Sequence, residues 1–434
     1  MKTNVKAVND VRTHEGAPAK RINAEQELRR SVMACMLWED AFYEGGVSIA
    51  ERIANLVSEV DPQKVAKIAI EAREEMKLRH VPLWIVREMA RISKHKALVA
   101  DTLATVIQRA DELAEFVSLY WLEKRQPLSA QVKRGLAKAF QKFNAYQLGK
   151  YNRDGAVKLR DILFLCHAKP KDKEQETVWK QLIDRTLPTP DTWEVALSGG
   201  KDKKETWERL ITEGKLGAMA LLRNLRNMAQ ASVDENIIFN GLDTMKTERV
   251  LPFRFIAAAR YVPQWESRLE NAMFKCIEKY EKLPGRTILL VDVSGSMDYL
   301  LSSKSDLQRY DTANGLAILV RELCESVAIY SFSNNTIRIP DRRGFALRDA
   351  ISNSQQHRGT YLGQAVSHIN QNEKYNRLIV LTDEQSHDAV PNPTGKGYII
   401  NVASYKNGVG YGAWTHIDGF SEAVFDYIKE VETQ

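Results

Sequence analysis

The stretch from Arg286 to Met297 constrains the fold of this chain more than any other. Thr287 to Val291 are aliphatic or β-branched without alternation, the pattern of a strand covered on both faces, as in a parallel sheet. The chain then turns polar at once. Asp292, Ser294 and Ser296 stand two apart around Gly295, so a tight loop at the strand's carboxyl end aims one carboxylate and two hydroxyls at a common point. Oxygen donors of this kind suit Mg²⁺, which is commonly held by one or two carboxylates and keeps open or water-filled positions. Ser and Asp also crowd strand-to-helix turns as plain helix caps, so the triplet alone leaves both readings standing.

Two distant segments favour the cation. Thr360 follows Gly359 at the head of an amphipathic helix, and Asp383 ends a second aliphatic strand that begins at Leu378. Both lie where an open α/β sheet gathers its ligands, at the carboxyl ends of strands. In order and spacing, Asp292, Ser294, Ser296, Thr360 and Asp383 resemble the metal-ion-dependent adhesion site of von Willebrand factor A domains. The resemblance implies a divalent metal ion, Mg²⁺, as cofactor.

Around this site the period of the sequence is that of an α/β domain. Strand-like runs at Thr287 to Val293, Val327 to Phe332, Arg377 to Leu381 and Tyr398 to Val402 alternate with helices near Asp311 to Leu323, Tyr361 to Asn370 and Ser421 to Val431. That alternation predicts a doubly wound, Rossmann-like sheet over residues 285–434. Upstream the chain reads as helical from about residue 26 to 284, behind a polar arm over residues 1–25. Leu28 to Tyr43, Ser48 to Val60, Pro62 to Lys77, Leu83 to Arg91, Ala97 to Gln108 and Asp111 to Leu122 each carry apolar residues three and four apart. Short helices with short links predict stacked antiparallel pairs of the HEAT-repeat kind, although no strict repeat is present. The expected class is α plus α/β, in more than one domain.

At 434 residues the chain exceeds one ordinary core, and 44% hydrophobic with 27% charged residues excludes a disordered polypeptide. No apolar run approaches a membrane span. The first ten residues lack an apolar signal-peptide core, so the expected location is the cytoplasm, away from membranes. Cys35, Cys166, Cys276 and Cys324 lie far apart in apolar or helical contexts, which suits reduced, buried thiols.

Charge is uneven. From Pro284 onward there are 14 Lys and Arg against 17 Asp and Glu, so most of the net +6 and more lies upstream. Between Gln131 and Lys173 stand eleven basic and three acidic residues, the electrostatic footprint of a polyanion-binding surface. Ser129 is placed to cap a helix running to about Gly149, with Val132, Leu136, Phe140 and Phe143 inside and Arg134, Lys138 and Lys142 recurring on another face. Such a stripe is often a solvated surface, but acidic partners are missing at the i±4 positions. Tyr146, Lys150, Tyr151 and Arg153 follow, then a helix from about Gly155 that ends at His167 to Pro170. Tyrosines interleaved with cations suit stacking on bases beside phosphates. His167 by itself reads first as a plain helix-end residue, hydrogen-bonded to the last carbonyls.

Leu128 with Ser129, Leu136 to Phe140, Lys150 with Tyr151, Leu159 to Leu163, His167 to Pro170, Ala220 to Leu225 and Leu251 to Ile256 together resemble the TROVE module of Ro ribonucleoprotein autoantigens and their bacterial relatives. Arg79 to Leu83 is of the type found early in that module. The resemblance implies a ring of helical repeats closed by a von Willebrand A-like domain. It implies small structured Y-like RNA on the outer surface, single-stranded ends of misfolded RNA in the hole, and association with an exoribonuclease. Lys150, Arg153, His167 and Lys169 match the family's RNA-contacting segment.

These residues bear on three functions. A non-catalytic RNA-binding scaffold, expected to be monomeric, accounts for the basic window and the resemblance. A metal-dependent protein-interaction module is the alternative. A hydrolase is disfavoured, because the chain has no Gly-Lys-Ser/Thr phosphate loop, no His-Glu-x-x-His motif and no convincing nucleophile–base pair.

Overall fold

The computed structural model describes residues 11–33, 46–152, 155–198, 200, 202–247, 250, 253–278, 281–301, 307–403, 405, 407–419 and 423–433. Helix α1 (Ala24–Met33) opens the described chain. There follow α2 (Gly46–Glu59), α3 (Pro62–Glu74), α4 (His80–Arg91), α5 (Lys96–Val106), α6 (Ala110–Tyr120), α7 (Ala130–Phe140), α8 (Ala145–Tyr151) and α9 (Leu159–Cys166). Then come α10 (Lys173–Asp184), α11 (Trp193–Ser198), α12 (Lys203–Thr212), α13 (Ala218–Gln230), α14 (Glu235–Thr244), α15 (Phe253–Tyr261) and α16 (Glu266–Ile277). Contacts group the chain into two compact units, Ala50–Thr244 and a second made of Met1–Ile49 with Met245–Gln434. The boundary expected at residue 284 thus marks the first strand, while the unit around that strand also takes in α15, α16 and the first 49 residues.

In the helical unit the starts are written locally. Asp61 accepts hydrogen bonds from the N–H groups of Gln63 and Lys64 at 2.9 and 3.3 Å, with Pro62 at the first turn of α3. Apolar faces then pack α3 on α4 and α5, α5 on α7, and α7 on α9. Val132, Leu136, Ala139 and Phe140 of α7 are fully buried, each large side chain worth roughly 1.5–3 kcal/mol out of water. One buried polar node joins three elements. Arg73 of α3 donates to Glu112 of α6 at 2.7 Å and to the Val106 carbonyl at the end of α5 at 2.9 Å. The other oxygen of Glu112 accepts from the N–H groups of Gln108 and Arg109 at 2.8 and 3.0 Å, so the buried carboxylate is satisfied on both sides.

The single helix expected from Ser129 to about Gly149 is instead two. Asn144 breaks it, accepting from the Gln147 N–H at 2.9 Å while Gln147 accepts from the Asn144 N–H at 3.1 Å, a capping box that restarts the chain as α8.

The second unit holds a six-stranded sheet in the order β3-β2-β1-β4-β5-β6. The strands are β1 (Leu283–Asp292), β2 (Cys324–Phe332), β3 (Thr336–Arg338), β4 (Arg377–Thr382), β5 (Lys396–Asn401) and β6 (Trp414–Asp418). All pairs are parallel except β2 with β3, with Leu290 of β1 opposite Tyr330 on one side and Val380 on the other. Helices α17 (Arg309–Leu323), α18 (Gly344–Ser352), α19 (Leu362–Asn372) and α20 (Ala423–Thr433) complete it. This is the doubly wound arrangement expected, and its switch point lies between β1 and β4, where the chain leaves β1 in both directions.

The N-terminal residues are structural parts of this unit. Arg30 of α1 is fully buried and donates to the Tyr405 carbonyl at 2.5 Å, to the Asn407 carbonyl at 2.9 Å and to the Glu384 carboxylate. His416 of β6 joins Glu384 at 2.9 Å. Burial alone would push the His416 imidazole down, but Asp418 and Glu384 together raise it to about 9. Burial would likewise raise the Glu384 carboxyl, and Arg30 and His416 overcome it, holding it down at about 2. Nearer the terminus, Thr13 donates to the Ser386 carbonyl at 2.8 Å and His14 N–H to the Gln385 side chain at 2.7 Å.

Cys166, Cys276 and Cys324 are buried, and burial pushes the Cys166 thiol up to about 11, far from a reactive thiolate. Cys35 lies outside the described residues. Among the described residues no helix is long and apolar enough to cross a membrane.

Candidate metal centre and nucleic-acid interface

At the switch point three loops carry the five oxygen-bearing residues, and hydrogen bonds tie each loop to its neighbours. Asp292 ends β1 fully buried, one carboxylate oxygen accepting from the Ser294 N–H at 2.9 Å and the other from the Thr382 hydroxyl at 2.6 Å. The Ser294 and Ser296 hydroxyls are 3.2 Å apart on a 3-10 turn at Gly295–Asp298. Gly295 N–H donates to the Arg358 carbonyl at 2.8 Å, which docks this loop on the one carrying Thr360. Thr360 is joined in turn to the loop after β4, its N–H donating to His387 Nδ1 at 3.1 Å and its carbonyl accepting from the His387 N–H at 2.8 Å.

Asp383 is the residue immediately after β4 and is fully buried. One oxygen accepts from Arg309 at 3.0 Å and the other from the Gln385 N–H at 3.3 Å. Burial, and then the charge of Asp383, push the Asp292 carboxyl up to about 7. Two buried carboxylates and three hydroxyls, without sulfur, form a donor set that fits an oxygen-preferring divalent ion, and such an ion would relieve the repulsion that raises Asp292. Sequence reasoning missed Arg309, because a cation at the head of a helix reads as an ordinary surface charge. It also missed Thr382 and His387, which orient the donors without being donors.

In the helical unit the expected RNA contacts fall on α7 to α10. Arg134 and Lys138 are exposed on α7, and Lys142 is exposed beyond its end, so the three do not share one helix face. The acidic partner missing from α7 itself comes from α5, where Asp101 meets Lys138 at 2.5 Å. Lys142 caps the end of α5 through the Ala104 carbonyl. Lys150 is half-buried, with its ammonium 5.7 Å from the Tyr151 ring, and Arg109 of α6 sits over the same ring at 4.8 Å. Arg153 lies outside the described residues. His167 caps α9 through its backbone, in the left-handed conformation with φ of 52°, and leaves its imidazole exposed. Lys169 is exposed beside it, its carbonyl accepting from Gln141 at 2.9 Å.

Sequence reasoning also missed Arg160 and Phe164. Arg160 and Phe164 recur four apart, placing cation and aromatic ring on one stripe of α9, and the exposed His167 follows as its cap. Phe164 is 61% exposed, a large apolar ring in water where most of its kind are covered.

Three comparisons bear on this architecture. The TROVE domain family model matches residues 185–309. That segment includes α13, α15 and the loop with Asp292, but not the α7 to α9 segment. Telomerase protein component 1 of Mus musculus is 33% identical over 110 residues, 24% of this chain and 4% of that protein. Its Rattus norvegicus counterpart is 32% identical over the same length, so the chain matches a small part of these much longer relatives. In fold, the crystal structure of the Deinococcus radiodurans Ro (Rsr) protein aligns with 92% of this chain and 97% of its own, at a TM-score of 0.59 and 17% identity. The chain is thus similar to the TROVE domain over residues 185–309, within a helical and α/β fold similar to that of a bacterial Ro protein.

Proposed function

We propose that the chain is a non-catalytic, monomeric RNA-binding scaffold of the cytoplasm. Its helical module would hold a small structured, Y-like RNA on its outer surface and single-stranded ends of misfolded RNA in its hole, serving RNA quality control with an exoribonuclease partner. The observation that carries this is the basic segment from α7 to the end of α9, where Arg134, Lys138, Lys142 and Lys169 are exposed, as are Phe164 and His167. Exposed cations supply phosphate contacts, and an exposed ring among them is a platform for an unpaired base. The TROVE match and the Ro-like fold support the assignment.

The test is filter binding of a structured RNA and of a single-stranded-tailed RNA across a salt series. Replacing Arg134 and Lys138 by Gln should weaken both RNAs and flatten the salt slope by about one unit per lost phosphate contact. Phe164→Ala should weaken the tailed RNA, since base stacking is worth about 1–3 kcal/mol, and His167→Ser should weaken the structured one. Parent-like binding by all of these variants, with unchanged melting, sinks the proposal.

The sheet unit supports a second role, binding a protein partner through Mg²⁺ at Asp292, Ser294, Ser296, Thr360 and Asp383. A cleft of about 310 Å³ lined by Asn334, Asn335, Thr336, Tyr361, Gln364 and His368 opens beside Thr360, with room for the residues flanking a coordinating carboxylate. Asp292→Ala should then abolish Mg²⁺-dependent association with the exoribonuclease while RNA affinity stays at the parent value.

A further inference from the structure

Asp383 is held by a guanidinium that no metal site needs. Arg309, the first residue of α17, is 2% exposed, and its Nη1 lies 3.0 Å from the Asp383 carboxylate. Its main chain is fixed at both ends, the N–H donating to the Tyr299 carbonyl at 3.0 Å and the carbonyl accepting from the Thr312 hydroxyl at 2.6 Å. The side chain is therefore delivered to the site by a helix terminus held by its own backbone hydrogen bonds. We propose that Arg309 is a tethered counter-cation that competes with the divalent ion for Asp383, holding the loops of the site together without metal and lowering the site's affinity for it. This rests on the reading of the five residues as a metal centre.

The electrostatics follow from the neighbours. Asp292 and Asp383 are both fully buried, and a buried carboxylate without a compensating charge is costly. Arg309 compensates Asp383 directly, with its guanidinium 3.0 Å from that carboxylate. Among Asp292, Asp383 and Arg309 there are one positive and at most two negative charges, so these three side chains together carry at most a single net negative charge. A divalent ion entering the site meets the unscreened charge of the guanidinium across a few ångströms of protein interior. Metal and Arg309 therefore exclude or weaken one another, and metal uptake is coupled to whatever holds the start of α17. An anionic partner that adds its own carboxylate restores the missing negative charge, so ion and partner should bind together far better than the ion does alone.

The experiment is calorimetric and thermal titration of the full chain with MgCl₂ alone, for parent, Arg309→Gln and Arg309→Lys, with Asp292→Ala defining the background. Arg309→Gln should melt lower in EDTA, yet bind Mg²⁺ roughly tenfold more tightly and gain a larger Mg²⁺-induced shift than the parent, because a unit charge has left the site. Arg309→Lys keeps the charge and should bind Mg²⁺ within about threefold of the parent, which tests the idea even if the Gln variant fails to fold. Unchanged or weaker Mg²⁺ binding by a folded Arg309→Gln overturns the proposal and makes Arg309 a structural or positioning residue. Parent and Arg309→Gln both indistinguishable from Asp292→Ala would instead remove the metal centre itself.

Discussion

Asp292 shows how one side chain carries both the promise and the cost of the site. Its carboxyl is raised to about 7 from an ordinary value near 3.8, by burial and by Asp383. A folded-state pKa above the unfolded one means stability that is complete below pH 3.8 and is lost as pH rises toward 7, at up to about 1.4 kcal/mol per pH unit. Asp292→Asn removes the titration while keeping the shape. In EDTA at pH 8 it should melt no lower than the parent, the gap between the two should close below pH 4, and Mg²⁺ should no longer raise its melting temperature. Thermal melts across pH with and without Mg²⁺ check this, and an EDTA gap independent of pH would refute it. Such a residue was legible as a ligand from its spacing with Ser294 and Ser296. Its ionisation was not, because that depends on burial and on Asp383, which lies far from it in the sequence.

Among the elements, the strands covered on both faces were the readable ones. β1, β2, β4 and β5 are runs of buried aliphatic residues, and each begins and ends within about four residues of its expected place. β3 has three residues on the sheet edge, too few to show a period. β6 hides because the side chains of His416 and Asp418, polar in sequence, are almost fully out of water in the structure. Their burial makes sense once Arg30 and Glu384 stand beside them. The break between α7 and α8 was masked by Leu136, Phe140 and Phe143, whose spacing continues through it as one helical face. Glu384 has a left-handed backbone, φ 63°, immediately after Asp383, and Gly408 and Gly410 make room for its carboxylate, since a Cβ at either would lie 2.3–2.4 Å from it. Arg30→Ala would leave that carboxylate buried and opposed by His416 alone. It should cost about 3–5 kcal/mol, as breaking a buried ion pair does, and denaturant melts should show the loss in the sheet unit with the α2 to α14 unit unaffected. A cost below about 1 kcal/mol would mean that water reaches Glu384.

At the scale of the molecule, the α2 to α14 segment is an insertion in the connectivity of the other unit, whose chain is split between residues 1–49 and 245–434. Stability should follow that division and not a cut at residue 284. A fragment of residues 50–244 has its own core and should unfold cooperatively, as small single domains do. Residues 285–434 alone lack α15, whose Arg260 binds Asp311 of α17, and α16, whose Glu270 accepts from the Phe345 N–H at 2.7 Å. They also lack Arg30, so this fragment should aggregate or bind a hydrophobic dye. Circular dichroism melts and sedimentation of the two fragments decide it, and a monomeric, cooperatively melting 285–434 would show the sheet to be self-sufficient.

The partnership of Arg30 with Glu384 joins positions 354 residues apart, so synthesis must run long between making one and making the other. At about 5–20 residues per second, α1 waits some 20–70 seconds on the ribosome before its counter-ion exists. For that interval Leu28, Val32 and Met33, all buried at the end, have no sheet to cover them. The nascent chain is therefore a client for whatever shields apolar helices during translation, and a pause anywhere before Glu384 lengthens its exposure.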